Sequence, residues 1–227
     1  MKYLKKFEND KDNDIRFLIL AIDTDANYNK GSYFEAKDVL EKITNVNIEI
    51  DGKTPTDHLV DRIASGNSGK YVNWENNDLV KIAKLLVENG AKFRDSDILK
   101  ILNKQAHDTD EIKKSNELIK LILKTNININ YFDKHGSNAL MYAIVGDLEH
   151  ESSRFYNLNV IKKIIESGID LTHEDEFGQN FINYIEQYSK RQEKKLLSKV
   201  NIILFDNKDK ENVKDWFLHQ DTKKYNL

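Results

Sequence analysis

The 227-residue chain contains no cysteine, a single proline and nine glycines. Without cysteine there are no disulfides, no thiolate-ligated zinc and no thiol chemistry. The scarcity of proline and glycine excludes collagen-like and Pro- or Gly-rich disordered classes and points to a mostly helical chain. Apolar residues are also sparse, at 39% against the about 45–50% of ordinary globular domains. Charged residues make up 32%, so the expected core is thin or elongated. No apolar stretch approaches the ~18 residues that span a membrane. The run from Ile15 to Ile22 is eight residues long and is interrupted by Arg16. In MKYLKKFENDKDND the first lysines are followed by acidic residues, not by an apolar segment, so this is not read as a secretory signal. The expected location is cytoplasmic, with no membrane contact. An excess of either charge is lacking too: 35 basic residues face 38 acidic ones, a net charge of −3. This argues against a dedicated nucleic-acid binder, which is usually strongly basic, and against an acidic DNA mimic.

What the chain has in quantity is lysine (30), asparagine (25) and isoleucine (24). All three use A/T-rich codons, so clusters of Lys or Asn are read first as compositional bias. Beneath that bias lies an internal repeat, the feature that decides fold class where it occurs. DKHGSNALMYAI (133–144) matches DEFGQNFINYI (175–185), each with Asp, then Gly three residues later, then an apolar helix start. DGKTPTDHLV (51–60) is a shorter copy. A second recurring segment closes a helix: DLVKIAKLLVENGAKF (78–93), NELIKLILKTNININ (116–130) and NVIKKIIESGIDL (159–171).

Aligned, these segments give five units of about 12–50, 51–93, 94–132, 133–174 and 175–209, with a C-terminal cap at 210–227. The helix-start slot falls on Arg16, Thr54, Asp97, Asn138 and Asn180, four of them side chains that accept a bond from a free helix N–H. Pro55 follows Thr54 at the first helical position, where its missing N–H costs nothing. Leu18, Thr56, Leu99, Leu140 and Ile182 come two residues after the slot, and Ala21, Leu59, Leu102, Ala143 and Ile185 three further on. That spacing places both sets on one helix face. The second helices stop at Asn89-Gly90 and Ser167-Gly168, and the same left-handed stop is expected at Asn45 and Asn126.

These residues resemble the ankyrin repeat. The resemblance is carried by Thr54-Pro55, the Asp133/Gly136 and Asp175/Gly178 turns, Leu140 and Ala143, and the helix end at Leu85-Leu86-Val87-Glu88-Asn89-Gly90-Ala91. It covers about residues 12–209. The period of ~40 is longer than the usual 33. The family's histidine slot falls on Ile19, Asp57, Lys100, Met141 and Asn183, so the bonding that histidine supplies must be replaced. HEAT-like helix pairs, also with periods near 40, are the alternative; the Asp-x-x-Gly turns and glycine stops favour ankyrin. The expected architecture is all-α, an ankyrin-like solenoid of about five helix pairs with extended inter-helix loops, forming a single domain. QDTKKYNL at the end is expected to be mobile, and Trp216, Phe217 and Leu218 to close the core.

Motifs for chemistry fail one by one. Asp23-Thr24-Asp25-Ala26-Asn27 begins like a calcium loop, but Tyr28 and Phe34 occupy the glycine and glutamate positions that close the cage. Gly66-Asn67-Ser68-Gly69-Lys70 lacks the first glycine and the Ser/Thr of a phosphate loop. The six histidines include no i, i+4 pair of the helical zinc type. Glu149-His150-Glu151 has no nucleophile or oxyanion partner in view, and the Lys190, Arg191, Lys194, Lys195, Lys199 stretch reads as a solvated helix face. No metal, nucleotide or other cofactor is expected, and no enzymatic activity.

The resemblance implies a protein-interaction module, monomeric when unbound. A cytosolic neutraliser such as a toxin-immunity protein is one reading. A host-directed effector or regulatory scaffold is another, and an enzyme with a site in the inter-helix inserts a third. The family's contact face implies Lys92, Arg94, Tyr131, Phe132, His135, His173, Glu174 and Phe177 on the inter-repeat turns as partner-binding residues, Tyr131 and Phe132 foremost. The inserts between paired helices supply secondary candidates, Tyr71, Trp74, Phe155 and Tyr156. Exposed aromatics are common anchors, but rings on adjacent inserts also have a packing role available.

Overall fold

A computed structural model describes residues 11–23, 32–64, 78–103, 109–145, 158–188 and 193–225. Among these the regular secondary structure is entirely helical, with two isolated antiparallel bridges, Ile50 with Lys53 and Phe132 with Asn138, in the turns. The chain divides into two compact units, Met1–Asp97 and Ile98–Leu227.

In the first unit, α1 (Lys11–Asp23) pairs with α2 (Ser32–Leu40), and α3 (Pro55–Ala64) with α4 (Leu79–Glu88). The first helices of the two pairs touch each other, as do the second helices. That is the stacking of a helical repeat: each pair buries its apolar faces only against a neighbouring pair. On α4 the buried residues are Leu79, Val80, Ile82, Ala83 and Leu86, the stripe of an amphipathic helix facing its neighbours.

The second unit begins within α5 (Asp97–Leu102) and continues through α6 (Thr109–Ile122), α7 (Ala139–Val145), α8 (Leu158–Glu166), α9 (Phe181–Tyr188), α10 (Glu193–Asp206) and α11 (Glu211–Tyr225). Here α7 packs on α8 and α9, and α8 lies between α6 and α10. Leu140, Ile161, Ile164, Ile165 and Ile185 are sealed from solvent in this core. The architecture is that of ankyrin-like helix pairs joined by turns.

The helix ends show how local chemistry sets these boundaries. Gly90, with φ +78°, closes α4. Its N–H donates to the Val87 carbonyl at 3.0 Å, and the Ala91 N–H to the Leu86 carbonyl at 2.9 Å, the bond pair of a Schellman stop. Gly168 closes α8 at φ +88°. The expected asparagine stops are corrected: Asp51 is the sole non-glycine residue with positive φ among the described residues. Asn45 instead accepts the Asn47 N–H on its side chain at 3.0 Å, a local turn that asparagine makes without left-handed backbone. α6 ends in tight turns, with the Thr125 N–H and hydroxyl both donating to the Ile122 carbonyl at 2.9 and 2.6 Å.

Two helix starts also differ from expectation. Arg16 lies inside α1, which already runs from Lys11; the apolar slots Leu18 and Ala21 are buried as expected. In the third repeat α5 does start at the expected Asp97, but that side chain bonds backward and not forward into the helix. The Arg94 N–H donates to Asp97 Oδ2 at 2.8 Å, as the Thr54 N–H does to Asp57 Oδ2 at 2.8 Å and the Asn180 N–H to Asn183 Oδ1 at 2.9 Å. These are the reaching-back halves of capping boxes. The three acceptors, Asp57, Asp97 and Asn183, thus do the same work in successive repeats.

The C-terminal segment is helical through Tyr225. Trp216 is buried against Phe181, ring centroids 5.9 Å apart, as a core-closing residue. Leu218 is 65% exposed and takes no such part. Asn212 Nδ2 donates to the Ile165 and Ile169 carbonyls at 3.2 and 2.9 Å, satisfying carbonyls at the α8 terminus. Within the described residues no helix is long and apolar enough to cross a membrane.

Candidate partner-binding edge

The turns between repeats are held by dense local hydrogen bonding. In the first unit, Asp51 and Gly52 have φ +53° and +78°, and Ile50 and Lys53 exchange two backbone bonds of 2.9 and 3.1 Å. This is the two-residue hairpin that Asp-Gly favours. Asn47 ties this repeat to the next: its Nδ2 donates to the Gly90 carbonyl at 2.9 Å, and its Oδ1 accepts the Lys92 N–H at 2.7 Å.

Two expected site residues of this unit serve the same joint. The Lys92 carbonyl accepts from the buried Thr56 hydroxyl at 2.8 Å, while the lysine remains exposed. Arg94 reaches back across the repeat to Asp57 Oδ2 at 2.7 Å and to the Gly52 carbonyl at 3.3 Å, with Glu49 at 3.6 Å. The Asp57 side chain is 4% exposed, so Arg94 screens a nearly buried carboxylate. This pair, with the capping boxes, stands where the family pattern has histidine.

In the second unit two longer turns are near copies. Asp133 Oδ1 accepts the His135 and Ser137 N–H groups, both at 2.9 Å, and its Oδ2 accepts the Tyr142 hydroxyl at 2.8 Å. Asp175 does the same with Phe177, Gln179 and Tyr184, at 2.9, 2.9 and 2.8 Å. One aspartate therefore fixes each turn and pins it to the helix that follows. Burial alone would raise the Asp133 pKa, but the bonds from Tyr142, Ser137 and His135 outweigh it and hold the carboxyl below its ordinary value. The Tyr142 phenol is pushed up to about 12 by burial, by its bond to Asp133 and by that residue's charge.

The two turns lie against each other. The Glu176 N–H donates to the His135 carbonyl at 3.0 Å, and His135 Nδ1 lies 2.6 Å from Glu176 Oε1. His173 Nε2 is 2.7 Å from the Gly136 carbonyl, and Ser137 Oγ is 3.2 Å from the Tyr184 hydroxyl. Gly136 is required twice over. Its φ is +80°, and a Cβ there would sit 2.9 Å from the Asp175 Cα.

This stack brings six of the eight expected residues into one unit. Phe132, 52% exposed, lies over the His173 ring with centroids 5.1 Å apart and planes at 25°. Tyr131 is 36% exposed and Phe177, at the tip of its turn, 75%. His135 and Glu174 are exposed as well. Lys92 and Arg94 belong to the other unit and form a separate set. Tyr71, Trp74, Phe155 and Tyr156 lie outside the described residues, as do the phosphate-loop imitation, Glu149-His150-Glu151 and most of the calcium-loop imitation.

Sequence reading passed over Glu176, Tyr142 and Tyr184. The tyrosines carried a visible signal, since each stands nine residues after the aspartate of its turn. Chemically, the edge offers apolar rings on a fixed frame bordered by charge, the make-up of a recognition surface. No group of three or more His, Asp or Glu side chains suited to hold a metal ion occurs among the described residues.

No family model matches the chain, and no curated protein matches it. Among solved structures, the chain is similar to the crystal structure of an ankyrin repeat protein, EF0377. That likeness has 18% sequence identity and a TM-score of 0.38, covering 81% of this chain and 97% of that one.

Proposed function

We propose that the protein is a non-enzymatic interaction module that binds another protein through the turn edge of its second unit. The observation that carries this reading is the exposure of Phe177 (75%) and Phe132 (52%) on turns whose backbone is already fixed by Asp175 and Asp133. Large rings held rigidly in the free protein lose little freedom on binding, so their burial goes into affinity. The Phe132–His173 stack adds a second exposed aromatic feature to the same unit.

The test is a pull-down from the source cell followed by binding measurements with the partner so found. Tyr131→Ala combined with Phe132→Ala, and separately Phe177→Ala, are each expected to weaken binding by ~2 kcal/mol or more, the cost of a hot-spot truncation. Trp74→Ala with Tyr71→Ala is expected to leave it unchanged. If only the latter pair weakens binding, the inserts are the contact surface and the turn edge is not. The partner's class then separates the finer readings: a toxin marks a neutraliser, a host protein an effector.

A further inference from the structure

Phe132 and His173 come from different turns, yet the half-exposed ring of one lies on the imidazole of the other, with centroids 5.1 Å apart and planes at 25°. The two residues are anchored differently. The Phe132 backbone is bridged to Asn138, and the next residue, Asp133, donates its N–H to the Ser137 carbonyl at 3.1 Å. These bonds hold the Phe132 backbone and leave χ1 and χ2 of the side chain free. A phenyl ring has no hydrogen-bonding group that could fix it. The attitude of a ring this exposed is set by what it rests on.

His173 is held at the ring itself. Its Nε2 lies 2.7 Å from the Gly136 carbonyl. A carbonyl only accepts, so Nε2 carries the hydrogen and donates it, which decides the tautomer of the neutral side chain. The acceptor is fixed in turn. The Gly136 N–H donates to the Asp133 carbonyl at 3.0 Å, and a Cβ on Gly136 would sit 2.9 Å from the Asp175 Cα. Beside it the Glu176 N–H donates to the His135 carbonyl at 3.0 Å. The imidazole therefore roots in the second turn, bonds to the first and lays its plane against Phe132. It is half-buried, with Nε2 occupied and Phe132 stacked on the ring, so it offers a partner less than the ring that it carries.

We infer that His173 is the positioning residue of the binding edge: pinned to the Gly136 carbonyl, it holds the Phe132 ring in the attitude that a partner meets. This rests on the turn-edge reading proposed above. It takes His173 out of the set of direct contacts and gives it a role exerted through Phe132. Rings stacked with an offset at this spacing attract each other, and a ring already held loses less freedom when a partner covers it.

NMR of the full chain with labelled phenylalanine and histidine tests this without a partner. The His173 nitrogens are expected to report the Nε2–H tautomer. The Phe132 ring protons are expected to be displaced by the imidazole ring current and to move back toward free-ring positions in His173→Ala. Phe132 signals indifferent to His173→Ala would overturn the proposal. Glu176→Ala, which removes the His135–Glu176 tie between the same turns, is expected to leave the Phe132 signals in place. If it moves them equally, His173 only helps to hold the turns together and the positioning role is wrong. With the partner of the turn edge in hand, His173→Ala is expected to weaken binding roughly three- to tenfold, the cost of ordering one side chain. In a Phe132→Ala background it should have no further effect, since residues acting as a unit are not additive. Additive losses would make His173 a direct contact and overturn the proposal. Binding indifferent to Phe132→Ala, with the NMR results as expected, would instead overturn the turn-edge reading.

Discussion

Gly136 and Gly178 occupy the same place in successive turns, with φ +80° and +70°, yet they carry different loads. Alanine at Gly178 meets nothing within 4 Å and suffers only left-handed strain, about 1–2 kcal/mol. Alanine at Gly136 adds a clash with backbone atoms of the Asp175 turn at 2.9 and 3.0 Å, which no side-chain motion relieves. Urea unfolding should show Gly136→Ala costing roughly 3 kcal/mol or more, strain plus overpacking, and Gly178→Ala about half that. Equal costs would mean that the turns do not stack closely. The Asp133–Tyr142 bond gives a second residue-level expectation, with opposite signs at the two ends of the pH scale. The Asp133 carboxyl is held below its ordinary 3.8, so its contribution is present above that value and is lost as pH falls through the lowered one. The Tyr142 phenol is raised from 10.0 to about 12, so its contribution is complete below 10 and is lost as pH rises toward 12. Tyr142→Phe should cost roughly 1.5 kcal/mol near neutrality, the low end for a bond to a charged group, because the site is partly wet. It should also move the Asp133 titration upward, read by NMR of the carboxyl carbon.

At the scale of elements, the first unit depends on Asp57. That carboxylate holds the Thr54 N–H and hydroxyl at the start of α3 and receives Arg94 from the next repeat, all between 2.7 and 2.8 Å. Asp57→Ala is expected to destabilise by about 2–3 kcal/mol, less than the ~3–5 kcal/mol of a broken, fully buried pair because Arg94 is half exposed. Asp57→Asn keeps the short acceptor and should lose less. Thermal melts of both variants check the order; a harmless Asp57→Ala would mean that the Arg94–Asp57 pair does not hold the joint. The same segment shows what was legible in sequence. Thr54-Pro55 and Asn89-Gly90 mark true helix ends, because caps and stops are set by residues within a turn of each other. Asp97 starts α5 as expected, but its side chain receives the Arg94 N–H instead of capping the helix, since aspartate suits both roles and spacing alone does not separate them. Arg16 misled for a related reason: the periodic apolar pattern continues while α1 starts earlier. The edge was legible as a list of turn residues, but its assembly was not. His135 with Glu176 and Phe132 with His173 stand 41 residues apart, and only the stacking of the turns pairs them.

For the whole molecule, the repeat organisation predicts how damage spreads. In stacked repeats each helix pair is held by its immediate neighbours, so stability divides into local and nearest-neighbour parts. Leu140 on α7 and Leu59 on α3 are both at 0% exposure, and they lie in different compact units. Leu140→Ala is expected to cost ~2–5 kcal/mol, the range for a buried leucine. Its effect on amide hydrogen exchange should be concentrated in α7 and in α8 and α9, which both pack directly on α7, with smaller changes in α3 and α4. Leu59→Ala should give the converse. The comparison uses the full chain and reads sub-global opening, which exchange resolves element by element. Equal loss of protection throughout from either substitution would mean that the chain opens as a single cooperative body. Its units would then act as one in binding, and a partner on the second unit's turns would protect α3 as strongly as α7.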